Sequence, residues 1–325
     1  MLSFLKNKKN LIFLLRIGVS ISVILFLFKK IHFVQILEIL KKSNLFLILV
    51  AFLFCILLHF LGVLRWKVLI SCNMKTSFFH LAFPFFSGLF FNLFFPSVLA
   101  GDLFRGAILF NKKRSAPFIL TSVLLDRTIG FLALASVCLI SFLLNPKLMR
   151  EKDILGAVLI FFFGLIFTLL IIFSKKVLNI FSKICKKLSF NFENWEKSLI
   201  FFRENPKVIL KALGISYLIQ IGSILSIWFV FLSFGKSLNI LDVFTLGTIS
   251  TFISLLPVSI AGLGIRDLSF IFFFSKVGVE NSVSFSASLL IFTYNVIMSL
   301  TGGVIFALLY NRWLQLNKQF TSLKE

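Results

Sequence analysis

The sequence has few charged residues and very few acidic ones. Asp and Glu together number only 12 among 325 residues, and all charged residues make up 14% of the chain, whereas 59% of it is hydrophobic. A soluble domain is about 45–50% apolar. A water-soluble core of this size could not hide so much apolar surface, so most of it must face lipid. The composition therefore excludes an ordinary soluble domain and indicates a membrane protein.

Cysteine and histidine are also scarce, and their spacing matches no common metal or redox motif. No two of the four cysteines have CxxC spacing, and the three histidines form no HExxH motif. A nucleotide-binding loop of the G-x4-GK[ST] type is absent as well. We therefore predict no disulfide, no metal site and no cofactor.

Basic residues, by contrast, are abundant: 34 Lys and Arg give a net charge of +22. They cluster in the gaps between apolar runs, where they act as topology signals and contact phospholipid headgroups. No basic stripe interleaved with aromatic residues lies outside those runs, so we do not expect nucleic acid as a partner.

The apolar runs are long and continuous, which predicts an all-α polytopic protein rather than a β-barrel of short alternating strands. Two further apolar regions, 78–110 and 243–275, are interrupted by Pro, Gly and charged residues. Each is too long for one straight span and suits two half-helices with a break. The six predicted spanning helices are 11–28, 45–64, 118–144, 154–174, 208–234 and 283–310.

The distribution of Lys and Arg predicts that the N- and C-termini are cytoplasmic. The loop 29–44 is an exception, because it is basic although this topology places it on the outer side of the membrane. This orientation of the spans requires both interrupted regions to be re-entrant hairpins. The region 78–110 would enter and leave on the cytoplasmic side, and the region 243–275 on the outer side. The segment 175–207 mixes Lys and Glu with aromatic residues and is interpreted as a cytoplasmic amphipathic linker. We expect 1–325 to form a single integral membrane domain.

The two interrupted regions share a motif. Pro96 is followed by Ala, Gly and Arg105 at offsets of 4, 5 and 9, and Pro257 by the same residues, ending at Arg266. The motif P-x3-A-G-x3-R thus occurs twice, 161 residues apart, which is close to half the chain. A coincidental Pro-Gly loop at the surface is the alternative, but it does not explain why both breaks fall within apolar segments.

The surroundings of the motif repeat too, and predict an inverted-topology repeat. Two spans precede each interrupted region and one follows it, so repeat 1 covers about 11–144 and repeat 2 about 154–310. The first spans of the two halves run in opposite directions. In folds of this kind broken helices meet near the midplane and build a substrate site there.

Several charged residues lie within or beside apolar runs and require a partner or a water-filled cavity. Freed N–H groups at the start of a half-helix, together with arginine, favour an anion such as phosphate. The pair Asp126–Arg127 either contributes to the same cavity or is a structural ion pair. Asn92, Gln220 and Asn295 are weaker candidates, which helix–helix hydrogen bonds explain equally well. The charged candidates are Asp102, Arg105, Asp126, Arg127, Arg266 and Asp267.

These residues resemble three motifs of one known family, the lysylphosphatidylglycerol synthase transmembrane region, also called UPF0104 or flippase-like. Asp replaces the more usual Glu in the second and third motifs, which preserves the charge. The first motif is matched by Asn92, Pro96, Gly101, Asp102 and Arg105, the second by Asp126, Arg127 and Gly130, and the third by Pro257, Gly262, Gly264, Arg266 and Asp267.

The resemblance implies a membrane protein that binds and translocates phospholipids or lipid-linked intermediates. We expect the motif residues to bind an anionic lipid, and the protein to lie in a bacterial-type inner membrane. Bifunctional family members carry a soluble aminoacyl-transfer domain after this region. We expect this chain to lack it and to be a transporter rather than an enzyme. Two alternatives stay open: a membrane-embedded transferase acting on a lipid phosphate, and an adaptor that recruits a lipid-modifying enzyme as its partner.

Overall fold

The computed structural model describes residues 33–74, 76–94, 98–109, 116–173, 192–255 and 262–322, and all of the regular structure in them is helical. The helices are α1 (Phe33–Lys42), α2 (Leu45–Ser71), α3 (Phe78–Phe94), α4 (Val98–Leu109), α5 (Ala116–Leu143), α6 (Pro146–Met149), α7 (Lys152–Phe173), α8 (Phe192–Glu204), α9 (Pro206–Ser233), α10 (Ile240–Leu255), α11 (Ile265–Ser275) and α12 (Asn281–Ser322).

Four of these helices are long and apolar enough to cross a bilayer: α2, α5, α9 and the part of α12 that ends at Tyr310. The prediction of an all-α multi-pass membrane protein is therefore confirmed. Helix α7 covers the predicted span 154–174 almost entirely, whereas the predicted span 11–28 lies outside the described residues.

Helix α2 illustrates how the apolar surface divides between lipid and protein. Leu49, Leu53 and Leu57 recur every fourth residue and are each more than half exposed, as expected of a stripe that faces lipid chains. Small residues such as Ala51 and Gly62 lie on the buried side of the same helix. They allow the neighbouring helices to approach closely.

Each interrupted region forms two helices that pack on each other, α3 with α4 and α10 with α11. The breaks themselves, 95–97 and 256–261, lie outside the described residues, and with them Pro96 and Pro257. After the second break, Gly262 and Gly264 have φ angles of 74° and 83°. Residues with a side chain rarely adopt this left-handed conformation, which explains glycine at both positions.

Helices α2 and α9 form the most extensive packing contact in the described structure, and they run antiparallel. Arg65 near the end of α2 donates to Ser216 near the start of α9 over 3.1 Å. In the opposite direction, Ser226 donates to the carbonyl of Ala51 over 2.9 Å. These two helices precede the two interrupted regions, one in each half of the chain.

The hairpin of each half packs on the last long helix of the other half. Helices α3 and α12 are in contact, and so are α10 and α5. Gly302 of α12 lies against the backbone of Phe86 in α3, where a Cβ atom would overlap the carbonyl. On the other side, Thr245 of α10 donates to Ser141 of α5 over 3.1 Å. The two halves are therefore interlocked rather than placed side by side.

The short helix α8 covers most of the described part of the segment 175–207. Its Phe202 is buried and stacks on Phe118 of α5 with ring centroids 5.2 Å apart, whereas its Arg203 is exposed. One face of α8 thus packs on the bundle and the other faces away from it.

Candidate functional site

A cavity of about 300 Å³ lies between the two halves of the chain. Helices α2, α3, α4 and α5 line it from the first half, and α9, α10 and α12 line it from the second. Its volume is at the lower end of the range of small-molecule sites, about 300–1,000 Å³. It can hold a small polar group but not a pair of acyl chains.

Three arginines and two aspartates form a connected network in one wall of this cavity. Arg105 reaches both carboxylates, with its Nη2 atom 2.8 Å from Asp126 Oδ2 and its Nε atom 3.3 Å from Asp102 Oδ1. Arg65 Nε donates to Asp126 Oδ1 over 2.6 Å, and Arg127 Nε donates to Asp102 Oδ2 over 2.5 Å. All four carboxylate oxygens therefore already contact an arginine.

Local geometry explains how the chain brings these charges together. Asp102 and Arg105 are three residues apart on α4 and so lie on one face of that helix. Asp126 and Arg127 are neighbours on α5 and point to different partners, the first to Arg65 and Arg105 and the second back to Asp102. The network thus connects α2, α4 and α5.

Aromatic rings hold Arg105 from the other side. Its guanidinium carbon lies 4.8 Å from the ring centre of Trp66 and 5.2 Å from that of Phe85, at cation–π distances. Trp66 in turn donates from Nε1 to Ser122 over 3.2 Å. The side chain of Arg105 is only 3% exposed, so it is fixed by two carboxylates and two rings.

Arg65 is a member of this network that the sequence did not identify. The predicted span 45–64 ends one residue before Arg65, but α2 continues to Ser71 and keeps Arg65 within the bundle. A sequence signal did exist: Cys55, His59, Gly62 and Arg65 recur at helical spacing on one face of α2, and all four line the cavity.

Glycines make room for the network. A Cβ atom at Gly130 would lie 3.0 Å from Nη1 of Arg65, and one at Gly101 would overlap the carbonyl of Gly88. The second contact allows α3 and α4 to approach closely. Asn92 then joins the two helices, because its Oδ1 atom accepts from the backbone N–H of Gly101 over 2.8 Å.

The rest of the cavity wall is uncharged. The Nδ1 atom of His59 lies 2.7 Å from the carbonyl oxygen of Cys55. Because a carbonyl oxygen can only accept a hydrogen bond, Nδ1 must carry a proton. Gln220 donates to the carbonyl of Gly130 over 3.4 Å and so links α9 to α5. Asn295 donates within its own helix, to Ile291, and its exposed side chain marks an opening of the cavity.

Arg266 and Asp267 occupy a separate environment. Nη2 of Arg266 lies 2.6 Å from Asp267 Oδ1, and its Nε donates to Ser288 over 2.8 Å. Asp267 also accepts from the backbone N–H of Gly264 and thereby caps α11. Neither residue is among those that line the described cavity.

The structure thus brings together five of the twelve predicted site residues in the cavity wall, with Gly101 directly behind them. Those that lie elsewhere among the described residues are Gly262, Gly264, Arg266 and Asp267, which gather at the start of α11. The five that line the cavity are Asn92, Asp102, Arg105, Asp126 and Arg127.

The cavity network carries an excess of positive charge, since three arginines face two aspartates. An unbalanced charge inside a bilayer is costly unless it meets a counterion or water. The three arginines and two aspartates give the network a net charge of +1, so the cavity favours an anion.

Comparison with known proteins agrees with the motifs. The sequence profile of the lysylphosphatidylglycerol synthase TM region matches residues 13–303. Two UPF0104 membrane proteins of Methanocaldococcus jannaschii are similar to the chain. One is 28% identical over 62% of this chain and 86% of its own length, and the other is 25% identical over 86% and 89%. A UPF0104 membrane protein of Methanothermobacter thermautotrophicus is 32% identical over 26% of this chain and 25% of its own length. Because the profile covers most of the chain, this multi-pass membrane protein belongs to the lysylphosphatidylglycerol synthase TM region family.

Proposed function

We propose that the chain binds the phosphate-bearing headgroup of a lipid in this cavity and transfers the lipid between the two leaflets. The observation that carries the proposal is a buried arginine network with one uncompensated positive charge, in the wall of a cavity within a membrane protein. Arginine binds phosphate through a planar set of donors. The cavity volume of about 300 Å³ suits a headgroup, while the acyl chains stay in the bilayer.

The contact pattern of the helices supports an inverted repeat as the basis of transfer. Helices α2 and α9 run antiparallel, and each hairpin packs on the last long helix of the other half. A twofold axis in the membrane plane would produce this exchange. In this proposal α7 and the segment 11–28 complete six spans, both hairpins are re-entrant, and both termini lie in the cytoplasm of a cell with this protein in its inner membrane.

Rocking of one half against the other would expose the cavity to each leaflet in turn. The cavity is lined from both halves, so a change in their relative orientation changes its access. The charged network, however, belongs to α2, α4 and α5, all in the first half. The headgroup would therefore stay bound to the first half while the second half moves.

Leaflet exchange in liposomes tests the proposal. Purified protein is reconstituted with a trace of fluorescent phosphatidylglycerol, and dithionite measures the fraction that reaches the outer leaflet. We expect wild-type protein to accelerate exchange and Arg127→Gln to remove the acceleration, because that variant leaves the network with no surplus charge. Arg127 is suited to this test because its side chain, at 28% exposed, is the least buried of the three arginines, and Arg105 remains beside Asp102 when it is removed.

The matched control is Arg150→Gln, the same substitution at an exposed turn outside the cavity. It should exchange lipid at the wild-type rate. Thermal unfolding, monitored by labelling of the buried thiols of Cys55 and Cys138, verifies that both variants are folded. Wild-type liposomes that show no exchange of any lipid would refute the proposed transfer.

A further inference from the structure

We infer that the cavity selects a lipid by a phosphodiester of single negative charge whose headgroup is uncharged and carries hydroxyls, and that it excludes headgroups with an ammonium group. The inference rests on the proposed binding of a lipid headgroup and specifies its chemical class. It follows from three properties of the cavity: its occupied carboxylates, its one surplus cation and its uncharged far wall.

Both aspartates are already paired with arginines on each of their oxygens. Asp102 uses one oxygen for Arg105 and the other for Arg127, and Asp126 divides its oxygens between Arg65 and Arg105. An ammonium group bound here would have to displace an arginine from a carboxylate. The aspartates therefore position arginines and do not recognise a cationic headgroup.

The surplus charge is available at Arg127. This side chain is the most exposed of the three arginines, at 28% against 12% and 3% for Arg65 and Arg105. Within the described part of the chain it is held by Nε alone, on Asp102, which leaves both terminal NH2 groups free to donate. Two parallel donors of this kind match the two free oxygens of a phosphodiester.

One net positive charge is balanced by one negative charge. A phosphodiester carries a single negative charge at neutral pH, so the filled cavity would be neutral. A zwitterionic headgroup would bring a second cation into a cavity that contains no free carboxylate. Juxtaposed like charges are strongly unfavourable in a desolvated site, and we expect the discrimination to exceed about tenfold.

The uncharged wall can bind hydroxyl groups. Gln220, Ser223 and Asn295 on this side carry amide and hydroxyl groups. Such groups both donate and accept, as a polyol requires. The described lining residues outside the five-residue network include no Asp, Glu, Lys or Arg, so no opposite charge on this side pairs with an ammonium or a carboxylate.

Competition binding in detergent micelles tests the inference directly. Fluorescent phosphatidylglycerol is bound to the full chain and displaced by unlabelled lipids. Phosphatidylglycerol and phosphatidylinositol should displace it at concentrations at least about tenfold lower than phosphatidylethanolamine, phosphatidylserine or lysylphosphatidylglycerol. Phosphatidylserine is the decisive competitor, because it has the same net charge as phosphatidylglycerol but contains an ammonium group. Equal competition by phosphatidylserine would overturn the inference.

Two soluble competitors identify the part of the ligand that is recognised. Glycerophosphoglycerol, the headgroup without acyl chains, should compete weakly but measurably, whereas inorganic phosphate should not compete at the same concentration. Equal competition by inorganic phosphate would mean that the cavity binds a free anion, and it would overturn the assignment to a lipid.

A charge-reversed variant provides a second, independent test. Arg127→Glu changes the network from one surplus positive charge to one surplus negative charge, and we expect it to reverse the preference in favour of lysylphosphatidylglycerol. Arg150→Glu, at an exposed position, should keep the wild-type order. An unchanged order in Arg127→Glu would refute the inference.

Binding and transfer can fail separately. Selective binding without leaflet exchange would refute the proposed transfer but support the inferred selectivity. Leaflet exchange that is equally fast for phosphatidylglycerol and phosphatidylethanolamine would support the transfer and refute the selectivity.

Discussion

The two arginines that the sequence presents as equivalent, Arg105 and Arg266, have different surroundings in the folded chain. Both follow a Pro-Ala-Gly motif, both are buried, and both contact an aromatic ring and a carboxylate. Arg105, however, shares two aspartates with two further arginines and faces the cavity. Arg266 forms a closed set with Asp267 and Ser288.

The difference shows how an internal repeat can keep its architecture while its halves diverge in chemistry. Asp267 caps α11 and neutralises the neighbouring Arg266, so the repeated motif of the second half has no surplus charge. The first half distributes two carboxylates and three arginines over three helices and retains a surplus cation. We therefore assign headgroup binding to the first half and a structural role to Arg266.

The largest expected effect comes from Asp126→Ala. The substitution leaves Arg65 and Arg105 buried without their shared carboxylate, and breaking a buried pair in this way costs about 3–5 kcal/mol. We expect the apparent free energy of unfolding in detergent, followed by exposure of the Cys55 and Cys138 thiols, to fall further than in Asp267→Ala, which strands only Arg266. Equal losses would mean that the two sites are energetically alike.

A double variant sharpens this result. Asp126→Ala combined with Arg65→Met removes one charge of each sign and restores the charge count of the network. The double variant should be more stable than Asp126→Ala alone, because one fewer arginine is left unpaired. No recovery would indicate that packing around Asp126, rather than charge, controls the stability.

An intermediate effect is expected from Arg266→Gln. Asp267 would keep the backbone N–H of Gly264 and the hydroxyl of Ser288 as donors, so we expect a loss of about 1–3 kcal/mol in stability. Affinity for phosphatidylglycerol should stay within about twofold of wild type, whereas Arg105→Gln should lose at least about tenfold. Competition binding measures both variants.

This pair of variants also tests the prediction that Arg266 binds the headgroup. A tenfold loss of affinity in Arg266→Gln, with the protein still folded, would place this arginine in the headgroup site after all. It would also imply that a second conformation brings α11 to the cavity, because Arg266 does not line the cavity in the described structure.

Much of the fold follows from sequence patterns that a bilayer enforces. Continuous apolar runs predict the long helices, and the Pro-Gly interruptions predict two helix pairs, which the structure forms as α3–α4 and α10–α11. The spacing of Asp102 and Arg105 predicts their common helix face. These features depend on local sequence and on the cost of unpaired backbone groups in lipid.

The partners of Arg105 could not be predicted in the same way, because they depend on tertiary packing. Arg65 follows an apolar run, and a charge there is read as the start of a loop, yet Asp126 on another helix stabilises it inside the bundle. The sequence does contain one sign that the two halves differ. Asp102 precedes Arg105 by three residues, whereas Asp267 follows Arg266 by one.

The smallest expected effect on stability comes from Gly130→Ala. A Cβ atom at this position would lie 3.0 Å from Nη1 of Arg65, so the guanidinium must shift by a few tenths of an ångström. Alanine also favours a helix over glycine by about 1 kcal/mol, and the two effects should nearly cancel in the free energy of unfolding. The shift of Arg65 alters its contact with Asp126, so we expect weaker phosphatidylglycerol binding in the competition assay despite normal stability.

Gly214→Ala is the matched control, because it makes the same change in α9 where a Cβ atom meets nothing within 4 Å. It should gain stability from helix propensity alone and leave binding unchanged. Combining Gly130→Ala with Arg65→Lys should recover binding in part, since the smaller ammonium group leaves space for the added methyl. If Gly130→Ala and Gly214→Ala behave identically in both measurements, the glycine of the second motif has no role in placing Arg65.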